Sequence, residues 1–333
     1  MVVVGCGAMN LDLIYKVEDI TKLYFKDIEL CPGREIVISH ELAKELLKML
    51  EMEGMPLGKS GGGSAANTIC ALSELGHECY FISSVGEDEF GDFLINQMNR
   101  VDCSFVKRYG KSSICIIVID EKTKDRSMVV VPGSLDVDIE REDLKLLLNK
   151  TDLFHFTSFV QKKGPFIQTR LLELLQREAL VSFDPGEVYA KVGYEPLKTL
   201  FSMTDLLFST DYEINSFFNG YSEKDILKKV LRKGKKDLSR FHLFKECTLP
   251  LLIKKKGAKG AEAFCMEKKI NISAKKVKEI IDNTGAGDAF SAGVLHGILK
   301  GGSLREALEQ GANIAAFSLA YPGRKWIEHI KKI

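Results

Sequence analysis

The sequence predicts an α/β fold, with one mostly parallel sheet covered by helices on both faces and a small second β-sheet standing over one edge. Two observations carry this expectation. Short β-branched or apolar runs alternate with amphipathic helical stretches through most of the 333 residues, the pattern of a parallel sheet buried on both sides. Two segments, 14–38 and 104–131, break the alternation by being strand-rich with no helix between the strands.

In chain order, VVVGC (2–6), CYFISSVG (79–86), LFHFTSF (153–159), ALVSFDPG (179–186), DLLFST (205–210) and LPLLIKKKG (249–257) read as buried strands. SAANTICALSELG (64–76), PFIQTRLLELLQRE (165–178) and AFSAGVLHGILKGG (289–302) read as the helices between them. In 38–54 the leucines recur at helical spacing, which predicts a packing helix. SICIIVIDEKTKDRSMVVV (113–131) reads as a hairpin with a polar turn. The expected division is therefore an α/β core from 1–14, 38–103 and 132–333, with a lid inserted from 15–37 and 104–131. Ligands of such a sheet gather at the carboxyl ends of the strands.

Composition narrows the function classes. Lys and Arg number 47 against 46 Asp and Glu, a net charge of +1, which offers no global attraction to nucleic acid or an anionic membrane. The Lys-rich runs at 228–236 and 254–256 read as solvated loops or faces. Eight cysteines form no CxxC and no zinc spacing, so they read as free thiols in a reducing cytoplasm. No apolar run approaches the ~20 residues of a membrane span, and the N-terminus lacks a basic leader region. The expected protein is soluble and cytoplasmic.

Two nucleotide motifs fail on inspection. The opening VVVGCGAMNLDLI has Gly5-x-Gly7 but Asn10 at the third glycine position, and LDLIYKV alternates like a strand instead of opening a helix. GMPLGKS (54–60) is one residue short of a P-loop and follows a helix. With the first motif falls the reading as a nicotinamide-dependent oxidoreductase.

Two constellations point to chemistry. In DNTGAGDAFSAG (282–293), Gly285-Ala286-Gly287 is a small-residue turn feeding a helix, which leaves amide N–H groups and the positive end of the helix dipole facing outward. Asp288 stands at its mouth. An Asp there is often only a helix N-cap, but an anion hole beside a carboxylate suits phosphoryl transfer to a hydroxyl that Asp288 deprotonates. In SGGGSAANTICALSELG (60–76), Gly62 and Gly63 allow close backbone approach to a ligand, and Asn67 falls in the first turns of the following helix.

These two motifs resemble the N-terminal and C-terminal signatures of the ribokinase (PfkB) family of carbohydrate and nucleoside kinases. GAMNLD (7–12), VGEDEFGDFL (85–94), VVVPGS (129–134) and KKGAKGA (255–261) match further family segments in order. The resemblance implies a ribokinase-like three-layer sandwich with a small β-sheet lid, and an ATP-dependent kinase that uses Mg²⁺. It implies Asp288 as general base and Gly285, Ala286 and Gly287 as the anion hole. Asn10 and Asp12 would bind sugar hydroxyls from one face of the first strand, completed by Gly62, Gly63 and Asn67. Asp282 and Thr284 fall where many members hold a monovalent cation such as K⁺, although Asn283 departs from the commoner Thr. In the family's Asn-x-x-Glu element, Thr210 replaces Asn while Glu213 remains, acting on Mg²⁺ through water. Lys255 replaces the usual Thr of the nucleotide loop, Gly257 keeps its place, and Asn313 lies on the helix that flanks adenine.

The implied acceptor is the hydroxymethyl group of a ribose- or ketose-type sugar or sugar derivative. The GGS-x-x-N form after a helix also fits a nucleoside kinase of the adenosine type, whereas DPG (184–186) and Lys255 fit sugar kinases. A ligand-binding homologue without catalysis is the remaining reading, and the intact Asp288 and Gly-Ala-Gly argue against it. No nucleic-acid or membrane partner is expected. Exposed lid strands leave room for a homodimer through the lid.

Overall fold

The computed structural model describes residues 1–23, 25–26, 28–123, 125–175, 178–231 and 247–333. The chain forms fourteen described strands. They are β1 (Val2–Cys6), β2 (Asn10–Val17), β3 (Glu35–Val37), β4 (Met55–Gly62), β5 (Glu78–Val85), β6 (Val101–Arg108) and β7 (Ser113–Asp120). After these come β8 (Arg126–Val131), β9 (Leu153–Thr157), β10 (Leu180–Asp184), β11 (Leu206–Thr210), β12 (Leu251–Lys255), β13 (Ala261–Phe264) and β14 (Lys269–Ile272).

Nine of these build the main sheet in the order β14-β13-β12-β11-β10-β9-β1-β5-β6. Pairing is parallel from β6 through β12, and β13 and β14 add an antiparallel edge. The strand sequences explain the two-sided burial, because side chains alternate faces along a strand. Val3, Leu153, Leu180, Leu206 and Leu251 join one core layer, while their neighbours Val4, Phe154, Val181, Leu207 and Leu252 join the other. This is the expected three-layer arrangement.

The helices are α1 (His40–Glu53), α2 (Ser64–Glu74), α3 (Glu89–Asn96), α4 (Glu142–Leu148), α5 (Gly164–Glu173) and α6 (Gly186–Val192). They continue with α7 (Lys198–Ser202), α8 (Asp211–Phe218), the single turn α9 (Glu223–Asp225), α10 (Ala286–Leu299), α11 (Leu304–Ser318) and α12 (Lys325–His329). Helices α2, α10, α11 and α12 contribute to the first layer, and α4 to α8 to the second. Helix α10 is buried from Ala289 to Leu299, in keeping with a sequence that is apolar nearly all round. Among the described residues no helix is long and apolar enough to cross a membrane.

The second sheet has the order β3-β8-β7-β2-β4, and β7 and β8 pair antiparallel as the hairpin expected over 113–131. Its outer face is closed by α1, whose Leu46 and Leu50 pack with Ile116, Val118 and Val129. Its inner face, with Cys115, Ile117 and Val130, looks toward the main sheet.

Strand pairing redraws the expected division. The stretch 38–62, assigned by sequence to the core, belongs to the small sheet: α1 covers it and β4 pairs antiparallel with β2. Conversely 104–108, assigned by sequence to the lid, is the end of β6, which pairs with β5 in the main sheet. The opening run is also divided. The main sheet keeps 2–6, and Asn10 and Asp12 belong to β2 of the small sheet, hydrogen-bonded to β4 and β7. Asn10 and Asp12 therefore sit on the lid and not on the first core strand. GMPLGKS becomes part of strand β4, which excludes a P-loop.

Candidate active site

The inner face of the small sheet and the carboxyl ends of β1, β9 and β10 enclose a cavity of about 270 Å³. Asn10, Asp12, Gly63, Asn67, Thr284, Gly285, Gly287 and Asp288 all line it. A second cavity of about 560 Å³ lies beyond the start of α10, lined by Lys255, Gly257, Phe290 and Ala312 among others. Asn283 and Gly287 border both cavities. The start of α10 is thus a partition between two binding spaces.

The backbone explains why this partition can bind an anion. Gly285 caps α10 with φ 75°, a left-handed conformation that glycine adopts freely. The Ala286 amide bonds the Asn283 carbonyl at 3.3 Å. The amides of Gly287 and Asp288 have no acceptor among the described residues, as the first turn of a helix requires. Asp288 is three residues inside the cap and so is not the N-cap itself.

The Asp288 carboxylate accepts a 2.7 Å hydrogen bond from Asn67 Nδ2. Burial pushes its pKa up to about 6, against the lowering effect of the Asn67 bond, with Asp184 adding to the rise and Lys255 opposing it. Lys255 Nζ reaches both Asp184 oxygens, at 2.8 and 2.7 Å, and Ser291 Oγ donates to the same carboxylate at 3.1 Å. Burial works against the Lys255 charge, but Asp184 and Glu213 outweigh it and hold the ammonium above its ordinary range. Lys255 therefore places a fixed positive charge beside the first turn of α10. A Cβ built on Gly287 would lie 3.6 Å from its Nζ.

On the other side, α2 begins where the chain makes a tight approach. Gly63 has φ 105°, and a Cβ there would lie 2.1 Å from the Ala8 carbonyl oxygen. A Cβ on Gly62 would lie 2.2 Å from Asp12 Oδ2. Gly62 thus lies directly against the Asp12 carboxyl, and Gly63 against the Ala8 backbone. Asp12 is only 9% exposed. Burial, opposed by Arg324 and reinforced by Asp288, Asp282 and Glu35, raises its pKa to about 7. Asn10 Oδ1 and Asn67 Oδ1 are buried with no hydrogen-bond partner among the described residues. Orphaned acceptors of this kind await a ligand's donors.

Four expected residues take other places. Asn313 is exposed and lines neither cavity, while Ala312, Ala315 and Ala316 of the same helix do. The helical period turns residue 313 about 100° away from Ala312. Thr210 and Glu213 bond each other in a capping box at the start of α8: Thr210 N donates to Glu213 Oε2 at 2.9 Å, and Glu213 N to Thr210 Oγ1 at 3.3 Å. Asp282 accepts from the amides of Thr284 and Gly323, both at 2.8 Å, and so ties the turn before α10 to the chain's C-terminal part.

Sequence reasoning did not single out Asp184 as the partner of Lys255, nor Glu35, Arg126, Thr157 and Glu187 as cavity residues. DPG at 184–186 was the available signal for the first. The others sit on strand ends and a helix start with no local motif.

A family profile described as pfkB family carbohydrate kinase matches residues 36–325. The chain is 30% identical to an uncharacterized sugar kinase of Archaeoglobus fulgidus, over 74% of this chain and 92% of that one. It is 28% identical to an ATP-dependent 6-phosphofructokinase of Thermoanaerobacterium thermosaccharolyticum, over 79% and 80%. In fold it is similar to an adenosine kinase from Schistosoma mansoni in complex with 2-fluoroadenosine, with a TM-score of 0.81 at 19% identity, covering 97% and 96% of the two chains. The chain belongs to the pfkB family of carbohydrate kinases, which are phosphotransferases.

Proposed function

We propose that the protein transfers the γ-phosphoryl group of ATP to a hydroxymethyl group of a sugar or sugar-containing acceptor. The observation that carries this reading is the place of Asp288, a carboxylate that lines the smaller cavity next to Gly287, which borders both cavities, and beside unpaired helix amides.

The acceptor would lie in the 270 Å³ cavity, with its hydroxyls on Asn10, Asp12 and Asn67. Asp288 would take the proton from the attacking hydroxyl, and with its pKa near 6 it is ionised at neutral pH and still basic enough to do so. The amides of Gly287 and Asp288, the helix dipole and Lys255 would hold the charge that develops on the transferring group. Asn67 would keep Asp288 turned toward the acceptor.

ATP would occupy the larger cavity, whose lining is apolar at Phe290, Ala312 and Leu319 and cationic at Lys255, Lys275 and Lys276. That mix suits a base at one end and phosphates at the other. The donor set does not offer magnesium a cage: Lys255 occupies Asp184 and the helix cap occupies one oxygen of Glu213. A hydrated ion carried by the phosphates, reached by Glu213 through water, fits these residues. Asp282, both of whose oxygens already accept from backbone amides, would serve a monovalent cation only as a shared ligand.

The test is an ADP-release screen with MgATP against ribose, fructose, fructose 6-phosphate, 2-keto-3-deoxygluconate, adenosine, cytidine and inosine, with Asp288→Asn as control. Turnover of at least one acceptor, cut by about 10²–10⁴ in the control, is expected. A control of near-normal rate would remove Asp288 from the role of base.

A further inference from the structure

Two of the eight cysteines stand apart from the rest. Cys265 Sγ lies 3.0 Å from Cys247 Sγ, both as free thiols, inside the ordinary contact distance of unbonded heavy atoms. Among the described residues no other two cysteine sulfurs are bonded to each other. A single buried thiol behaves as a small apolar side chain. Two thiols in contact need only about 1 Å of movement to reach the ~2.05 Å of a disulfide.

The chain path brings this pair together. Cys247 stands four residues before β12, and Cys265 directly follows β13. These strands pair antiparallel, with Leu252 opposite Phe264, so the cysteines are at the open end of a hairpin. At its closed end Gly257, Ala258 and Gly260 line the larger cavity. A second contact holds the open end in place: Thr248 donates to the Glu267 carboxylate from Oγ1 at 2.6 Å and from its amide at 3.3 Å. The Cys265 amide donates to the Lys268 carbonyl at 3.0 Å. Backbone contacts on both sides thus set the two sulfurs against each other.

The sulfurs are shielded but near solvent. Cys247 is 2% exposed and Cys265 7%, while Thr248 and Glu267, close by along the chain, are exposed. Burial raises the Cys247 pKa, which keeps that thiol protonated and makes the more accessible Cys265 the sulfur to react first. Among the described residues no three metal-ligating side chains come together, so the pair lacks the further ligands of a zinc cage.

We propose that Cys247 and Cys265 form a reversible disulfide that closes the open end of the β12–β13 hairpin when a peroxide reaches them. The Cys265 thiolate attacks a peroxide oxygen and breaks the O–O bond, which gives a sulfenic acid. From hydrogen peroxide the leaving hydroxide takes up the released thiol proton as water. The Cys247 sulfur then displaces the sulfenic oxygen, which leaves with the Cys247 proton as a second water. Two thiols lose two electrons in all, and the peroxide gains them. A dithiol reductant reverses the bond by exchange. The closed loop joins residues 18 positions apart, which restricts the unfolded chain and raises the melting temperature. The inference stands apart from the kinase reading.

The experiment treats the whole protein, reduced and freed of reductant, with one equivalent of hydrogen peroxide, then alkylates the remaining thiols and maps the peptides by mass spectrometry. Two of the eight thiols should be lost, in one linked pair of peptides carrying Cys247 and Cys265, and dithiothreitol should restore both. The oxidised protein should melt about 3–6 °C above the reduced one. Cys247→Ala should form no link and leave Cys265 open to trapping by dimedone as the sulfenic acid, whereas Cys265→Ala should leave Cys247 a thiol. If either variant fails to fold, the peptide map of the unmodified protein decides alone. Retention of all eight thiols, a link between any other two cysteines, or an oxidised form that melts no higher than the reduced one would overturn the inference.

Discussion

Asn67 Nδ2 and Asp288 Oδ2 meet at 2.7 Å across 221 positions of sequence. Each side chain stands near the start of its own helix, α2 or α10, and the two helices belong to one packed layer. The bond links the acceptor-side loop to the anion hole. It also lowers the pKa of a carboxyl that burial raises.

Asn67→Ala should therefore shift catalysis in two ways. Without its donor, Asp288 should titrate at higher pH, moving the acidic limb of the kcat/KM profile upward. The acceptor should also lose one contact, raising its KM about tenfold or more. A pH profile measured with saturating ATP checks both. An unmoved limb would mean that the bond does not govern Asp288.

The unmodified protein should itself show that limb near pH 6. The base must be a carboxylate, and its folded pKa of about 6 means protonation below that value. The rate constant kcat/KM should fall roughly tenfold per pH unit on the acid side and level off above it. Activity independent of pH between about 4 and 8 would contradict the assignment.

Lys255→Met separates charge from fold. Removing the ammonium leaves Asp184, 5% exposed, without its ion-pair partner, and stability should drop by about 3–5 kcal/mol in denaturant melts. The double change Lys255→Met with Asp184→Asn should recover most of that stability. It should not recover ATP turnover, because the cation beside the anion hole is still missing. Recovery of both would make the pair purely structural.

How much of this was legible in the sequence depends on how local each signal is. Asp288, Gly285 and Asn67 belong to runs of a dozen residues whose small-residue turns and helix starts are local events, so the sequence carries them. The six inner main-sheet strands, β12 through β5 in the sheet order, are legible too, since two-sided burial leaves unbroken apolar runs, whereas the edge strands β6, β13 and β14 are not. Strand β4 is not: MPLGKSGG contains no β-branched residue, and it is extended because it pairs with β2. The same pairing moved Asn10 and Asp12 from the core to the lid. Glu35 and Arg126 enter the site only through sheet register, and the Lys255–Asp184 pair joins two strands separated in the sheet by β11. Pairing between distant segments leaves no trace in a short window.

Asp12→Asn should stabilise the protein while impairing it. A buried carboxyl whose folded pKa is raised, here from 3.8 to about 7, favours the folded state most when protonated. Its contribution is fully present below the unfolded value and is lost as pH rises through about 7. At about pH 8 the folded protein must keep an unpaired, 9%-exposed carboxylate, which costs a few kcal/mol on the order set by 1.4 kcal/mol per pKa unit. Asparagine removes that charge at nearly the same volume against Gly62. The variant should melt several degrees above the unmodified protein at about pH 8, and the gap should close at about pH 4. Its acceptor KM should rise far more than its ATP KM, since Asp12 lines only the smaller cavity. Equal effects on the two KM values, or a melting gap that persists in acid, would show that Asp12 is not a strained carboxylate held ready for the acceptor.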